Sequence, residues 1–417
     1  MSRSQIAEAV AGERSGHTAV ADGGYVYVWG GYVSIAEHGI FYPSDEIWLY
    51  DVDSGIWQAH LMEGDAPPPM SGTCGCCLNG EMYIFGGYND NGYTNQARGA
   101  MHPKLLFCHL LLLQLYCVNL RNGEYAWKKV SYAEGCQPTP RDKNSCWVYN
   151  DRIIYFGGYG CKRFSEISDS TSFTVDEVSW VGEIFWGWNN EVHVFDPRTL
   201  TWSEPRTRGE VPAPRAAHAC ATLHNKGYVC GGRVVNTRTS DIHCLDLDTW
   251  TWSEIIPTSA QVPAGRSWHT LTPVANSVLF LFGGLSANCE PLSDSWTFNT
   301  RSQEWRELKH LQKNTPRLWH TACQGKGSEV IVFGGSQDDL LSVDTGHCND
   351  ILVFQTQPCS LVRQVFHLKL CEDCIGKNSR VLNEQLSWLP LKLRQAIQKR
   401  ILFFEIAEKS TRKDNSA

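Results

Sequence analysis

The chain has 417 residues, 42% of them hydrophobic, enough for one large β domain or two to three ordinary domains with a real core. A net charge of −7 and a pI near 6.1 give no overall electrostatic reason to expect nucleic acid or an anionic membrane as a partner. Sixteen Trp and 36 Gly against 5 Met point to many short strands with glycine-bearing turns and away from a helical bundle.

Met1 to Arg14 has no apolar core of the kind a secretory signal needs. The 17 cysteines are an odd number without framework spacing, so free and mostly buried thiols are expected in a reducing compartment, the cytoplasm and also the nucleus. Residues 1–13 form an N-terminal segment, and Gln5 to Ala11 is its strand-length candidate for closing a ring of blades.

A Gly-Gly pair closes an apolar run six times: VYVWGG to Gly31, MYIFGG to Gly87, IIYFGG to Gly158, GYVCGG to Gly232, LFLFGG to Gly284 and VIVFGG to Gly335. Each pair follows a turn and an earlier strand, and precedes a variable loop and a strand pair such as EVHVFDPRTLTWSE. Four strands per module make a blade, and packing blades around an axis buries faces that one small sheet cannot bury alone. With a Trp near the blade end (Trp57, Trp127, Trp202, Trp252, Trp305), the pattern resembles the Kelch repeat over about 14–358. The expected fold is all-β, a six-bladed propeller followed by a short C-terminal helical tail over 359–417. Blade six lacks a Trp-bearing last strand.

Two places break the repeat. Near 97–114 blade two carries an insertion, too short and too interrupted by His109 and Gln114 to span a bilayer, and read as having no functional role. Blade three has a long loop, Gly160 to Asn190, with Phe185, Trp186 and Trp188; those aromatics either line a pocket or tuck over the blade's own top.

Within a repeat protein, residues present in every module serve the module. Arg and His recur three apart at Arg14/His17, Arg215/His218, Arg266/His269 and Arg317/His320, so these read as scaffold. Blade three instead places Lys143 where blades five and six have Trp268 and Trp319. After the Gly-Gly pair, Tyr32, Tyr88, Tyr159, Arg233, Leu285 and Ser336 occupy equivalent positions, and Arg238 follows Arg233 in its loop. Symmetry gathers Lys143, Tyr159, Arg233, Arg238, Ser267 and Trp268 around one opening, a set suited to a small anion such as a peptide carboxylate. The alternative is that these cations pair with acids such as Asp142 or Asp241. No constellation of metal ligands or catalytic groups is found, so no cofactor and no enzymatic activity are expected.

The strings RSGH…VWGGY, FWGWNNEVHVFD, GGRVVNTR, GRSWHTLTP and PRLWHTAC resemble Kelch-repeat substrate receptors of cullin-RING ubiquitin ligases, which capture C-terminal degrons ending in glycine, especially Gly-Gly. The resemblance implies a degron pocket of Lys143, Tyr159, Trp188, Arg233, Arg238, Ser267 and Trp268. In the tail, Ser360-Leu361-Val362-Arg363 and Cys371 to Ile375 resemble the two halves of a BC box that binds Elongin B/C. Six inserted residues, Gln364 to Lys369, rotate the halves by about two thirds of a helical turn and set an expectation of weakened Elongin binding. Leu389, Pro390 and Leu393 resemble a cullin box, of cullin-2 pattern although cullin-5 is the family's association. The alternative function is a scaffold that binds an internal segment of a partner.

Overall fold

The computed structural model describes residues 10–35, 39–89, 114–132, 134–167, 171–309, 314–343 and 345–356. Blade four shows the module: Ala219–Leu223, Lys226–Val234, Thr237–Asp246 and Thr251–Ile255 pair antiparallel in sequence order, innermost strand first. Blades one to five repeat this four-strand order, and Arg208–Gly209, from the linker after blade three, adds a parallel fifth strand to blade four. Among the described residues blade six has three strands, Thr321–Gln324, Glu329–Phe333 and Ile351–Gln355. The architecture is thus the six-bladed propeller read from the repeat. Most of the expected closing strand Gln5 to Ala11, most of the insertion near 97–114, and the tail with Ser360, Leu361, Cys371, Ile375, Leu389, Pro390 and Leu393 lie outside the described residues.

The core lies between blades. One apolar cluster fills each seam, for example Trp147, Ile154 and Phe156 of blade three against Val229, Leu245 and Trp252 of blade four. The blade-end tryptophans belong to these seams, each wedged against the preceding blade. The seam of blades six and one is built alike, from Cys323, Ile331 and Phe333 against Val26, Val28 and Trp57, with Ala11 fully buried among them.

The recurring polar residues bind the blades. Arg215 donates to the Gly231 carbonyl (2.9 Å) and to both oxygens of Asp241 (2.8 and 2.7 Å); Arg266 treats Gly283 (3.0 Å) and Asp294 (2.6 and 2.7 Å) alike. Arg14, Arg141 and Arg317 face Glu46, Glu191 and Asp350, and all five guanidinium groups are buried. The main chain then crosses the seam: Gly284 N–H donates to the Arg317 carbonyl (2.8 Å) and Gly335 N–H to that of Arg14 (2.8 Å). Glycine is required here by space as well as by φ: a Cβ on Gly231 would stand 2.8 Å from the Arg266 carbonyl oxygen. Blade two replaces both partners, with Met70 at the arginine position and Gln114 at the acid position, leaving neither charge alone.

Around the axis, the residue before each scaffold histidine, or its counterpart, closes a ring of backbone hydrogen bonds. Gly72 N–H donates to Gly16 O (2.8 Å), Lys143 to Gly72 (3.1 Å), Ala217 to Lys143 (2.9 Å), Trp268 to Ala217 (2.8 Å), Trp319 to Trp268 (2.9 Å) and Gly16 to Trp319 (3.0 Å). All six residues are left-handed, with φ between 54° and 68°.

Removing Arg266 or Asp294 alone strands a buried charge and should cost about 3–5 kcal/mol, whereas the pair Arg266→Met with Asp294→Gln, which copies the combination found in blade two, should cost clearly less than either single change; urea denaturation of the three variants measures it. Burial, reinforced by the adjacent arginine, lowers His218 and His320 to about 3. These imidazoles take up protons only on unfolding between that value and about 6.5, so stability should fall as pH drops through this window. The urea midpoint of the wild type should decline more steeply with acidification than that of His218→Gln.

Candidate functional site

The long loop of blade three folds as a continuation of the blade. Arg141–Asp142, Tyr159–Arg163, Ile184–Asn189 and Phe173–Val181 form a second four-stranded sheet above it. The reading of 160–190 as a loop is corrected here: strand alternation over FWGWN puts Trp186 and Trp188 on one buried face and leaves Phe185 half-buried. Tyr159 lies opposite Trp188 in register, with ring centroids 5.3 Å apart.

Blade four meets this sheet with a hairpin whose two-residue turn is Val235-Asn236. Arg233 and Arg238 are directly opposite each other in it. Arg233 is exposed; its guanidinium carbon lies 5.6 Å from the Trp188 ring centroid, and its Nε donates to the Val235 carbonyl (3.0 Å). Arg238 donates through Nε to Ser267 Oγ (2.9 Å) and points Nη1 at Cys289 Sγ (3.6 Å). Ser267 is buried and accepts from Arg238, which leaves its own hydroxyl proton for another acceptor. Trp268 stacks on Trp319 at 5.1 Å, and its buried indole N–H has no partner among the described residues.

All seven residues singled out from the sequence, Lys143, Tyr159, Trp188, Arg233, Arg238, Ser267 and Trp268, line one cavity of about 160 Å³. The cations are not equivalent. Lys143 is ion-paired with Asp142 and sits 5.6 Å from the Trp319 ring centroid, so the acid-pairing alternative holds for it. Asp241 is taken by the scaffold Arg215 instead. Arg233 and Arg238 have no ion pair among the described residues. Two guanidinium groups at opposed strand positions repel, and with no ion pair to offset either charge the arrangement is chemically suited to an anion. Burial raises the Tyr159 phenol, with a Ser179 hydrogen bond opposing and Asp176 adding to the effect, so the phenol keeps its proton at neutral pH.

The cavity also includes Ala216, Ala217, Asp176 and Leu341. Ala217 was reachable from the repeat, since it is blade four's counterpart of Lys143 and Trp268. Asp176 sits in the blade-three extension, which has no sister for comparison, and Leu341 reaches over from blade six. Among the described residues, no group of three or more His, Cys, Asp or Glu side chains could hold a metal ion, and no helix is long and apolar enough to cross a membrane.

The family profile of the KLHDC2/KLHL20/DRC7 Kelch-repeats domain matches residues 16–284. The chain is 56% identical to human Kelch domain-containing protein 1 over 401 residues, covering 95% of this chain and 92% of that protein. It is 43% identical to human Kelch domain-containing protein 2 over 366 residues, 86% of this chain and 85% of that one. Rat Kelch domain-containing protein 3 is 26% identical over 341 residues, 78% of each.

Because Arg233 and Arg238 repel each other without a bound anion, Arg233→Gln should leave the melting temperature of the unliganded protein unchanged or raised. A loss above about 1 kcal/mol in denaturant titration would make Arg233 a structural residue instead.

Proposed function

The chain belongs to the Kelch-repeat family that includes Kelch domain-containing proteins 1 and 2, and on that premise we propose that it is a non-catalytic substrate receptor which grips the free C-terminus of proteins ending in glycine, Gly-Gly above all. The observation that carries this reading is the pair of unneutralised guanidinium groups, Arg233 and Arg238, directly opposed over an aromatic wall. A carboxylate placed between them would gain charge-assisted, fork-shaped hydrogen bonds, with the Ser267 hydroxyl and the unpartnered Trp268 N–H as further donors. A cavity of about 160 Å³ is smaller than a drug-sized ligand needs, roughly 300 Å³ or more. Walls of Tyr159, Trp188 and Trp268 favour a chain end without side chains, so selection of glycine follows from exclusion.

The receptor hands its substrate to a cullin-RING ubiquitin ligase through Elongin B/C, with cullin-5 or cullin-2 as the scaffold, in the cytoplasm. Support for this half is the likeness of Ser360, Leu361, Cys371 and Ile375 to a BC box and of Leu389, Pro390 and Leu393 to a cullin box.

The test is a fluorescence-polarisation titration with matched peptides ending in Gly-Gly as free acid or as amide. The acid should bind and the amide should not. Arg233→Ala and Arg238→Ala should each lose about 2–5 kcal/mol, roughly thirty-fold to several-thousand-fold in affinity. Equal binding of acid and amide would replace this reading with a scaffold for internal segments. For the adaptor half, deletion of Gln364 to Lys369 should increase co-purification of Elongin B/C; equal recovery with both forms would show that the inserted residues do not matter.

A further inference from the structure

The blade-three wall of the cavity carries a negative charge that holding a carboxylate does not require. Phe173–Val181 pairs with Ile184–Asn189 until its register breaks between Val175 and Trp180. That bulge turns Asp176 into the cavity. One Asp176 oxygen accepts from the Tyr159 hydroxyl (2.8 Å) and the other from the Val178 N–H (3.3 Å). Neither donor is charged, and Asp176 has no ion pair among the described residues, so its full charge faces the ligand.

The charges lining the cavity can then be counted. Lys143 is cancelled by Asp142. Arg233 and Arg238 remain against Asp176, a surplus of one positive charge, which one terminal carboxylate neutralises. A carboxylate held between the arginines and Ser267 would share the cavity with Asp176, so the residues next to the chain end come within reach of the blade-three wall. A second anion there, an Asp or Glu side chain or a phosphate, would meet Asp176 with no cation left to balance it; a Lys or Arg would complete an ion pair. Resting on the carboxylate reading above, we propose that Asp176 is a specificity-determining residue: it admits a single negative charge, disfavours acidic residues just upstream of the terminal glycines, and favours basic ones.

The experiment places Lys or Asp in turn at the third, fourth and fifth positions from the end of a Gly-Gly peptide and titrates each against the full chain, wild type and Asp176→Asn. Asparagine keeps an acceptor for Tyr159 and removes the charge. At one position at least, the wild type should prefer Lys over Asp by roughly five-fold, as a half-exposed ion pair allows. That ratio should shrink with added salt, fall below about two-fold in Asp176→Asn and survive in Asp176→Glu. Tyr159→Phe separates charge from positioning: whatever it does to affinity as a whole, it should retain the ratio. No Lys preference at any position, or an equal ratio in wild type and Asp176→Asn, would overturn the proposal, as would loss of the ratio in Tyr159→Phe. The acid-against-amide comparison on the unsubstituted peptide is read separately, so failure of the carboxylate site and failure of Asp176 as its filter give different results.

Discussion

Six backbone N–H groups and six carbonyls around the axis hold the blades to one another, and the positions that supply them govern much of what the molecule can do. Each ring bond joins neighbouring blades, including the last to the first, where Gly16 N–H meets the Trp319 carbonyl at 3.0 Å. To present its N–H to one neighbour and its carbonyl to the other, every ring residue takes the left-handed conformation. Gly16 and Gly72 do so without steric cost; Lys143, Ala217, Trp268 and Trp319 carry about 1 kcal/mol each. A ring member cannot relax by itself, because it would break two bonds in succession. The strain is therefore over-determined by its surroundings, the condition under which such conformations persist.

A second constraint works behind the ring. Buried arginines donate to the carbonyl of the first glycine of the pair and are neutralised by an acid on the third strand. A buried pair of this kind adds little net stability over an apolar replacement, yet losing one partner is expensive. Blade two illustrates the rule from the other direction, since Met70 and Gln114 dispense with both charges together. The repeat is thus a set of linked choices, and a module that departs at one position departs at its partner.

This linkage explains what could be read from the sequence. Blades, seams and scaffold residues were legible because one backbone solution is repeated, so that Gly-Gly, Arg, His and Trp recur at fixed offsets. Arg233 stood out because its sisters are Tyr, Leu and Ser, and Lys143 because two of its sisters are Trp. The pairing of Lys143 with Asp142 was not decidable, since successive side chains on extended backbone point apart and the left-handed conformation of Lys143, just past the strand, is not announced by the sequence. The strand character of 160–190 was hidden by its length and by the bulge, which interrupts the alternation between Val175 and Trp180. Asp176 lies within that interruption, and Leu341 arrives from another blade, a proximity created by the closed ring and not by any local pattern.

The ring also explains where a site can arise. Its bonds use only main-chain atoms, so the side chains of its members have no scaffold duty and can diverge while the backbone stays alike. They have diverged: Gly, Gly, Lys, Ala, Trp and Trp in blade order. Three of these, Lys143, Ala217 and Trp268, line the cavity that holds Arg233 and Arg238. Gly16 belongs to the same arrangement from across the axis. A Cβ on Gly16 would stand 2.8 Å from the Trp319 ring, and Trp319 is the surface on which Trp268 stacks at 5.1 Å and over which the Lys143 ammonium sits at 5.6 Å. The absence of a side chain at the ring position of blade one thus makes room for the indole that supports the pocket wall of blade five. Shape at the site is set by residues on five blades, although the two guanidinium groups without an ion pair both come from blade four.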